Sequence, residues 1–313
     1  MIYTLTLNPA VDRELSVSEI LFDHVMRASA WRVDWGGKGF NVSRLLKNLH
    51  TESIALGFAA GKSGEMLRDG LQALGISTDF VWVDGETRTN VSIVSEAPYH
   101  YIKVNEPGPT ITAEQVELML QKVASLARTG DWWVLSGSIP PGVPADIYAR
   151  LVRVIRQANA YTILDTEGEA LRQGCQEKPF LVKPNHLEAE KLTGSSAQTL
   201  KEAIKTAALI QKLGAEHVVI SMGEMGAVLV NQSGGWTVSA PEIQMRNPIG
   251  AGDSLVGGLV WGSSRGLAVH EALKWGAACG AATASLSGTA IGTQGLIEEL
   301  YRKVNCLAWN DSI

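Results

Sequence analysis

The stretch NPIGAGDSLVGG, residues 247–258, sets a carboxylate directly after a glycine-rich turn and directly before an apolar run that starts like a helix. Gly250 and Gly252 let the backbone bend so that consecutive N–H groups point one way, and a helix dipole adds positive potential at the same spot. The main chain of Gly250, Ala251 and Gly252 is therefore a candidate phosphate cradle. Asp253 either caps the helix or accepts a proton from whatever group meets the phosphate. Its place at a helix start predicts a carboxyl that titrates below its ordinary range.

Other polar side chains stand where ligands gather. WGGKGFNVSRLL (35–46) is a second glycine turn running into a helix, without the GxxxxGK[ST] spacing of a P-loop. Asn41 can cap that helix, or it can bond the hydroxyls of a polyhydroxylated ligand approached closely at Gly36, Gly37 and Gly39. Asp12, just beyond the first strand, is an acceptor-only group that suits sugar hydroxyls or a plain surface loop. Arg88 and Lys103 are solvated strand charges, or reach a phosphate if their segment closes over one. LVKPNHLEAEKL (181–192) puts Lys183 after a strand and spaces Asn185 and Glu188 as a capping box. The same pair could orient waters around Mg²⁺, which keeps several of its waters, and Asp165 at the end of YTILD could add a carboxylate to them. SMGEMGA (221–227), with Ser221, Gly223 and Gly226, fits a hairpin turn or a nucleotide-phosphate loop.

These residues follow strands in an alternating pattern. Strands are expected at 2–7, 53–58, 132–136, 161–165, 180–183 and 217–221, and helices at 41–49, 64–74, near 145–157 and at 200–213. Such alternation predicts an α/β domain whose mainly parallel sheet is covered on both faces, with ligands at the carboxyl ends of its strands. Residues 11–35 and 87–104 break the rhythm with strand-like alternation and no helix, as a small projecting sheet would. The final NCLAWNDSI shows no clear periodicity and is expected to be a loosely held tail.

Composition narrows the function classes. The 313 residues can bury one large core, and the net charge of −5 has no basic, aromatic-laced stretch to bind nucleic acid. Three cysteines without CxxC spacing argue against a disulfide framework or a zinc ribbon. None of the six histidines pairs at metal-ligand spacing. LNPAVD after the first strand lacks the GxGxxG of a dinucleotide oxidoreductase. Met1 leads into IYTLTL without a basic n-region, and no window has eighteen unbroken apolar residues, so a cytoplasmic protein with no membrane partner is expected.

Taken together, GGKGFNVSRLL, SGSIPPGV, LVKPNHLEAEKL, VVISMGEMGA and NPIGAGDSLVGG resemble, in type and order, the ribokinase-like sugar kinases of the phosphofructokinase-B branch, over residues 1 to about 303. The resemblance implies a three-layer αβα fold with a mainly parallel central sheet and a small β-sheet lid. One kinase domain would span 1–313, its lid segments at about 11–35 and 87–104 also forming a homodimer contact. It implies ATP-dependent phosphorylation of a ketohexose phosphate, fructose 1-phosphate first and tagatose 6-phosphate or fructose 6-phosphate after it. A regulator that binds nucleotide or sugar without turnover is the alternative from another class. Asp253 would be the base and Gly250, Ala251 and Gly252 the anion hole. Asp12, Gly37, Lys38 and Asn41 would contact the sugar, with Lys38 free to face the γ-phosphate instead, and Arg88 and Lys103 would hold the existing phosphate. Lys183, Asn185, Ser221, Gly223 and Gly226 would bind ATP; Asn185, Glu188 and Asp165 would hold Mg²⁺ through water. SLSGTAIGT (285–293) lies where a monovalent cation is in question.

Overall fold

A computed structural model describes residues 1–96 and 99–309. Its strands are β1 (Ile2–Thr6), β2 (Ala10–Val17), β3 (Ala30–Gly36), β4 (Ile54–Ala60), β5 (Ser77–Thr78), β6 (Val81–Val83), β7 (Arg88–Glu96), β8 (Tyr99–Asn105), β9 (Trp132–Ser136), β10 (Tyr161–Asp165), β11 (Leu181–Val182), β12 (His217–Ser221), β13 (Ala227–Asn231), β14 (Gly234–Val238) and β15 (Cys306–Trp309). The helices are α1 (Lys38–Asn48), α2 (Gly61–Ala73), α3 (Ala113–Leu126), α4 (Ile147–Gln157), α5 (Gly168–Gln176), α6 (His186–Thr193), α7 (Leu200–Gln211), α8 (Ala251–Ser263), α9 (Val269–Ala284) and α10 (Gln294–Tyr301).

The main sheet runs β15-β14-β13-β12-β11-β10-β9-β1-β4-β5, with β6 also on β4. From β5 to β12 the pairings are parallel; β12 to β15 are antiparallel. The order reverses between β1 and β9, and in open α/β sheets the crevice beyond the strands' carboxyl ends at such a point takes the ligand. Strand alternation sorts side chains between two cores. Leu5, Leu135, Leu164 and Val182 meet α3 to α7, whereas Ile2, Val134, Ile163 and Leu181 meet α1, α8, α9 and α10. By the same period of two, Asp165 and Lys183 point to the side of α1 and α8.

Helix α8 can sit low over that side because it packs on α9 through backbone. A Cβ at Gly258 would stand 2.7 Å from Gly276 Cα, a separation only glycine permits. A Ser254–Thr283 hydroxyl pair at 2.8 Å crosses the same contact near the first turn of α8.

The second sheet has the order β3-β2-β7-β8, with β2 and β7 parallel and the outer pairs antiparallel. Its register puts Asp12, Asp34 and Asn90 on one face with Glu14, Arg32, Ser92 and Lys103. The opposite face carries Leu15, Trp31, Ile93 and Ile102 in one row, and Val33, Val91 and Val104 in the next.

The expected αβα architecture with a small separate sheet is therefore present, with α1 beginning earlier and β8 ending slightly later than the periodicity suggested. One expectation fails outright. Cys306–Trp309 is no loose tail but pairs with β14 over four residues, Val238 to Cys306 through Gly235 to Trp309. So short a run gives periodicity little to register; the waiting edge of β14 orders it. Residues 310–313 lie outside the described residues. No helix of the described residues is long and apolar enough to cross a membrane.

Candidate active site

Gly250 takes φ of +80° and forms the N-cap of α8, turning the chain so that the helix starts at Ala251. The first intrahelical bond runs from Ser254 N–H to Gly250 O at 2.9 Å, so the N–H groups of Gly252 and Asp253 precede the ladder and can take an anion. The Ala251 N–H is committed to Pro248 O at 3.2 Å, which subtracts it from the expected cradle. Asp253 makes no side-chain cap; it is 9 % exposed and accepts a 2.8 Å bond from Asn41 Nδ2 on Oδ2. Burial, then the Asp165 carboxylate, push the Asp253 carboxyl up to about 6 against the lowering effects of Asn41, Lys38 and Lys183. The expectation of a depressed carboxyl is thus reversed: desolvation exceeds what one helix start supplies.

Asn41 does not cap α1 either. The N-cap is Gly37, without a side-chain bond, and Asn41 lies within the helix, its side chain reaching α8. Arg44, one turn on, donates to Asn41 Oδ1 at 3.2 Å and to Thr289 O at 3.1 Å. Asn48 Nδ2 reaches Ile291 O and Gly292 O at 3.3 and 3.1 Å, and Asn247 Nδ2 reaches Gly288 O at 2.7 Å. The segment 285–293 is therefore held by α1 and by the turn before α8.

Asp165, at the carboxyl end of β10, lies between two ammonium groups: Lys183 Nζ at 3.2 Å and Lys38 Nζ at 3.5 Å from its Oδ1. Asp165 and Lys183 side chains are 2 % and 5 % exposed, while Lys38 is 41 % exposed. Burial alone would lower the Lys38 ammonium; Asp165, Asp253 and Glu188 outweigh it and raise its pKa. A Cβ on Gly252 would be 3.8 Å from Lys183 Nζ, so this cation adjoins the open end of α8. Lys38 stands beside Asp165, within the electrostatic reach of Asp253.

Asn185 and Glu188 form the reciprocal cap of α6, each backbone N–H bonded to the other's side chain at 2.8 Å. Asn185 also bridges Ser221, which ends β12 on the same sheet edge. Gly223–Met225 is a single 3₁₀ turn closed by Gly226 at φ 94°, so SMGEMGA is the turn of the β12–β13 hairpin. No group of three or more His, Cys, Asp or Glu among the described residues could cage a metal. The oxygen donors Asp165, Glu188 and Asn185 suit a hard cation that keeps its water, as Mg²⁺ does.

On the small sheet, Asn90 Nδ2 donates to Asp12 Oδ1 at 2.7 Å. Burial raises the Asp12 carboxyl, opposed by that bond and by Lys103 and Arg88. Arg88 donates to Asn8 O at 2.9 Å and Glu106 O at 3.2 Å, and its buried Nε has no hydrogen-bond partner. Lys103 is exposed on the same face. Burial lowers the Arg44 guanidinium; Asp34, Arg32 and Asp12 then act on it, so this polar face looks toward α1. Arg44 and Asn90 carry no signal in the sequence that marks them for the site. Arg44 lies within a motif already singled out, three residues after Asn41, but only the fold shows what it bridges.

A groove of about 760 Å³, lined by Ser196, Lys205, Thr206, Lys212 and Asn231 among others, lies beside α7 across the main sheet and touches none of these residues.

Residues 4–294 match the pfkB family of carbohydrate kinases. The chain is 38 % identical over 304 residues to a 1-phosphofructokinase of Bacillus subtilis, covering 97 % of this chain and 98 % of that one. It is 31 % identical over 311 residues to a tagatose-6-phosphate kinase of Staphylococcus epidermidis, covering 98 % and 99 %. Escherichia coli phosphofructokinase-2, solved in complex with potassium, superposes with a TM-score of 0.91 at 29 % identity, covering 96 % and 98 %. The chain belongs to the pfkB family of carbohydrate kinases and is a sugar-phosphate kinase with the ribokinase-like fold.

Proposed function

We propose that this kinase transfers the γ-phosphoryl group of ATP to the free primary hydroxyl of a phosphorylated ketohexose, fructose 1-phosphate in preference to tagatose 6-phosphate. One observation carries the reading: the buried Asp253 carboxylate sits in the first turn of α8 beside N–H groups free for an anion, Lys38 and Lys183 flank that turn, and Asn41 donates to the carboxylate. Asp253 takes the hydroxyl proton. With a pKa near 6 it is ionised at neutral pH and close enough to that pH to accept a proton usefully. The N–H groups of Gly250, Gly252 and Asp253, with Lys183 and Lys38, hold the phosphate, and Lys38 belongs to the γ-phosphate side because it pairs with Asp165. In a loose phosphoryl transfer, positioning and charge stabilisation supply most of the rate.

Asp12, Asn41 and Gly37 bind the sugar, and Arg88 and Lys103, on the face of the small sheet that bears Asp12, hold its phosphate. The small sheet is the lid of a single kinase domain. Its apolar face, where Trp31 is 70 % exposed, is the proposed contact with a second copy. Lys183, Asn185, Ser221, Gly223 and Gly226 bind the nucleotide along the strand ends. Mg²⁺, when bound, neutralises phosphate charge, and Asn185, Glu188 and Asp165 would hold its waters. That E. coli phosphofructokinase-2 was solved in complex with potassium supports asking whether K⁺ activates this chain through residues 285–293, by comparing turnover in potassium and tetramethylammonium salts.

Greater identity to the 1-phosphofructokinase than to the tagatose-6-phosphate kinase supports the substrate order. Values of kcat/KM for fructose 1-phosphate, tagatose 6-phosphate and fructose 6-phosphate, with MgATP at fixed ionic strength, test it. Fructose 1-phosphate is expected to lead by at least about tenfold, the scale of one lost charge-assisted bond. A lead for either of the others contradicts the assignment, and no ADP release with any of them favours the binding regulator.

A further inference from the structure

Asn41 must face two ways. Its amide gives Nδ2 to Asp253 Oδ2 at 2.8 Å, and its Oδ1 receives Arg44 Nη1 at 3.2 Å. An ionised carboxylate only accepts and a guanidinium only donates, so with both neighbours present a single amide orientation leaves no like groups opposed. Once Asp253 has taken the hydroxyl proton it no longer fixes that orientation, since a protonated carboxyl offers a donor as well as an acceptor. Arg44 cannot change roles. Its other arm, Nη2, is anchored on Thr289 O at 3.1 Å, and Asn48 ties the same segment to α1 through Ile291 O and Gly292 O. Asn41, Arg44 and Asn48 thus line one face of α1 at spacings of three and four.

We infer that Arg44 is a positioning residue for phosphoryl transfer, its guanidinium fork spanning Asn41 and the Thr289 carbonyl so that the Asn41 amide presents its NH₂ to the Asp253 carboxylate. The charged groups around this chain are Asp12, Arg32 and Asp34 beside Arg44, and Lys38, Asp165 and Lys183 beside Asp253. Arg44 acts through Asn41, so its loss lowers turnover while leaving nucleotide affinity in place. The inference rests on the assignment of Asp253 as the base.

A double-mutant cycle on the full-length enzyme tests it, with kcat and both KM values measured for Arg44→Met in the wild-type and Asn41→Ala backgrounds. In wild type, kcat is expected to fall about 10-fold with KM for ATP within about twofold; in Asn41→Ala the same change costs under about twofold. Equal losses in both backgrounds, or a loss confined to KM for ATP, overturn the inference. If Arg44→Met fails to fold, Arg44→Lys decides, because it keeps the charge and one anchor but not the fork. Its kcat is expected about threefold down in wild type and unchanged in Asn41→Ala, and either full activity in wild type or equal losses in both count against the role. Near-normal turnover by Asp253→Asn removes the base assignment whatever the cycle gives, whereas an inactive Asp253→Asn with an additive cycle removes only the role of Arg44.

Discussion

A carboxylate at a helix start should be an easy acid, and Asp253 is not one. The favourable interaction with a helix N-terminus is worth about 0.3–1 kcal/mol at an exposed site, and burial together with Asp165 outweighs it. The motif around Asp253 was legible in the sequence; its environment was not, because the amide that seals it comes from Asn41, 212 positions away. For the same reason the sequence leaves Asn41 as a cap or a ligand contact, and only the fold shows its bond to α8. The raised pKa has a sign that stability can read. A carboxyl that binds its proton more tightly folded than unfolded stabilises the fold fully below its unfolded value of 3.8, and that contribution disappears as pH rises through about 6. At pH 8 the ionised group therefore costs on the order of 3 kcal/mol. Asp253→Asn is expected to raise the melting temperature above wild type at pH 8, with the gain shrinking toward pH 4. A gain that grows on acidification would contradict this electrostatic picture.

At the scale of elements, the proposed reaction makes the small sheet the part that brings the sugar phosphate to Asp253. Its alternation was visible in residues 11–35 and 87–104, but not the parallel pairing of β2 with β7, which joins the two segments and puts Asp12, Asn90 and Lys103 on one face. Pairing between distant strands leaves no local trace, so the segments could be recognised and their order could not. The polar face predicts a kinetic split. Arg88→Met is expected to raise KM for the sugar phosphate about 10-fold or more while moving KM for ATP less than about threefold, since charge-assisted bonds contribute about 1.5–3 kcal/mol each. Equal changes in both would reject the lid assignment. The apolar face predicts assembly: wild type is expected to sediment as a dimer, and Trp31→Lys, at a position 70 % exposed, as a monomer. Identical sedimentation of the two proteins would remove that contact.

For the whole molecule, the alternation of strands and helices was enough to foresee a parallel sheet covered on both sides, and with it the edge where ligands gather. The reversal between β1 and β9 gathers Lys38, Asp165 and Lys183 there, and the glycine contact between α8 and α9 lowers Asp253 onto the same edge. Neither is readable from local pattern, because strand order and helix separation are set by side chains far apart in the chain. What the two layers and the small sheet build jointly is a buried carboxylate near two ammonium groups and the open first turn of α8. The most direct measurement is single-turnover phosphoryl transfer by Asp253→Asn, with MgATP affinity determined alongside by calorimetry. The transfer rate is expected to fall about 10²–10⁴-fold with ATP affinity within about threefold of wild type. A transfer rate within a few-fold of wild type would contradict the account.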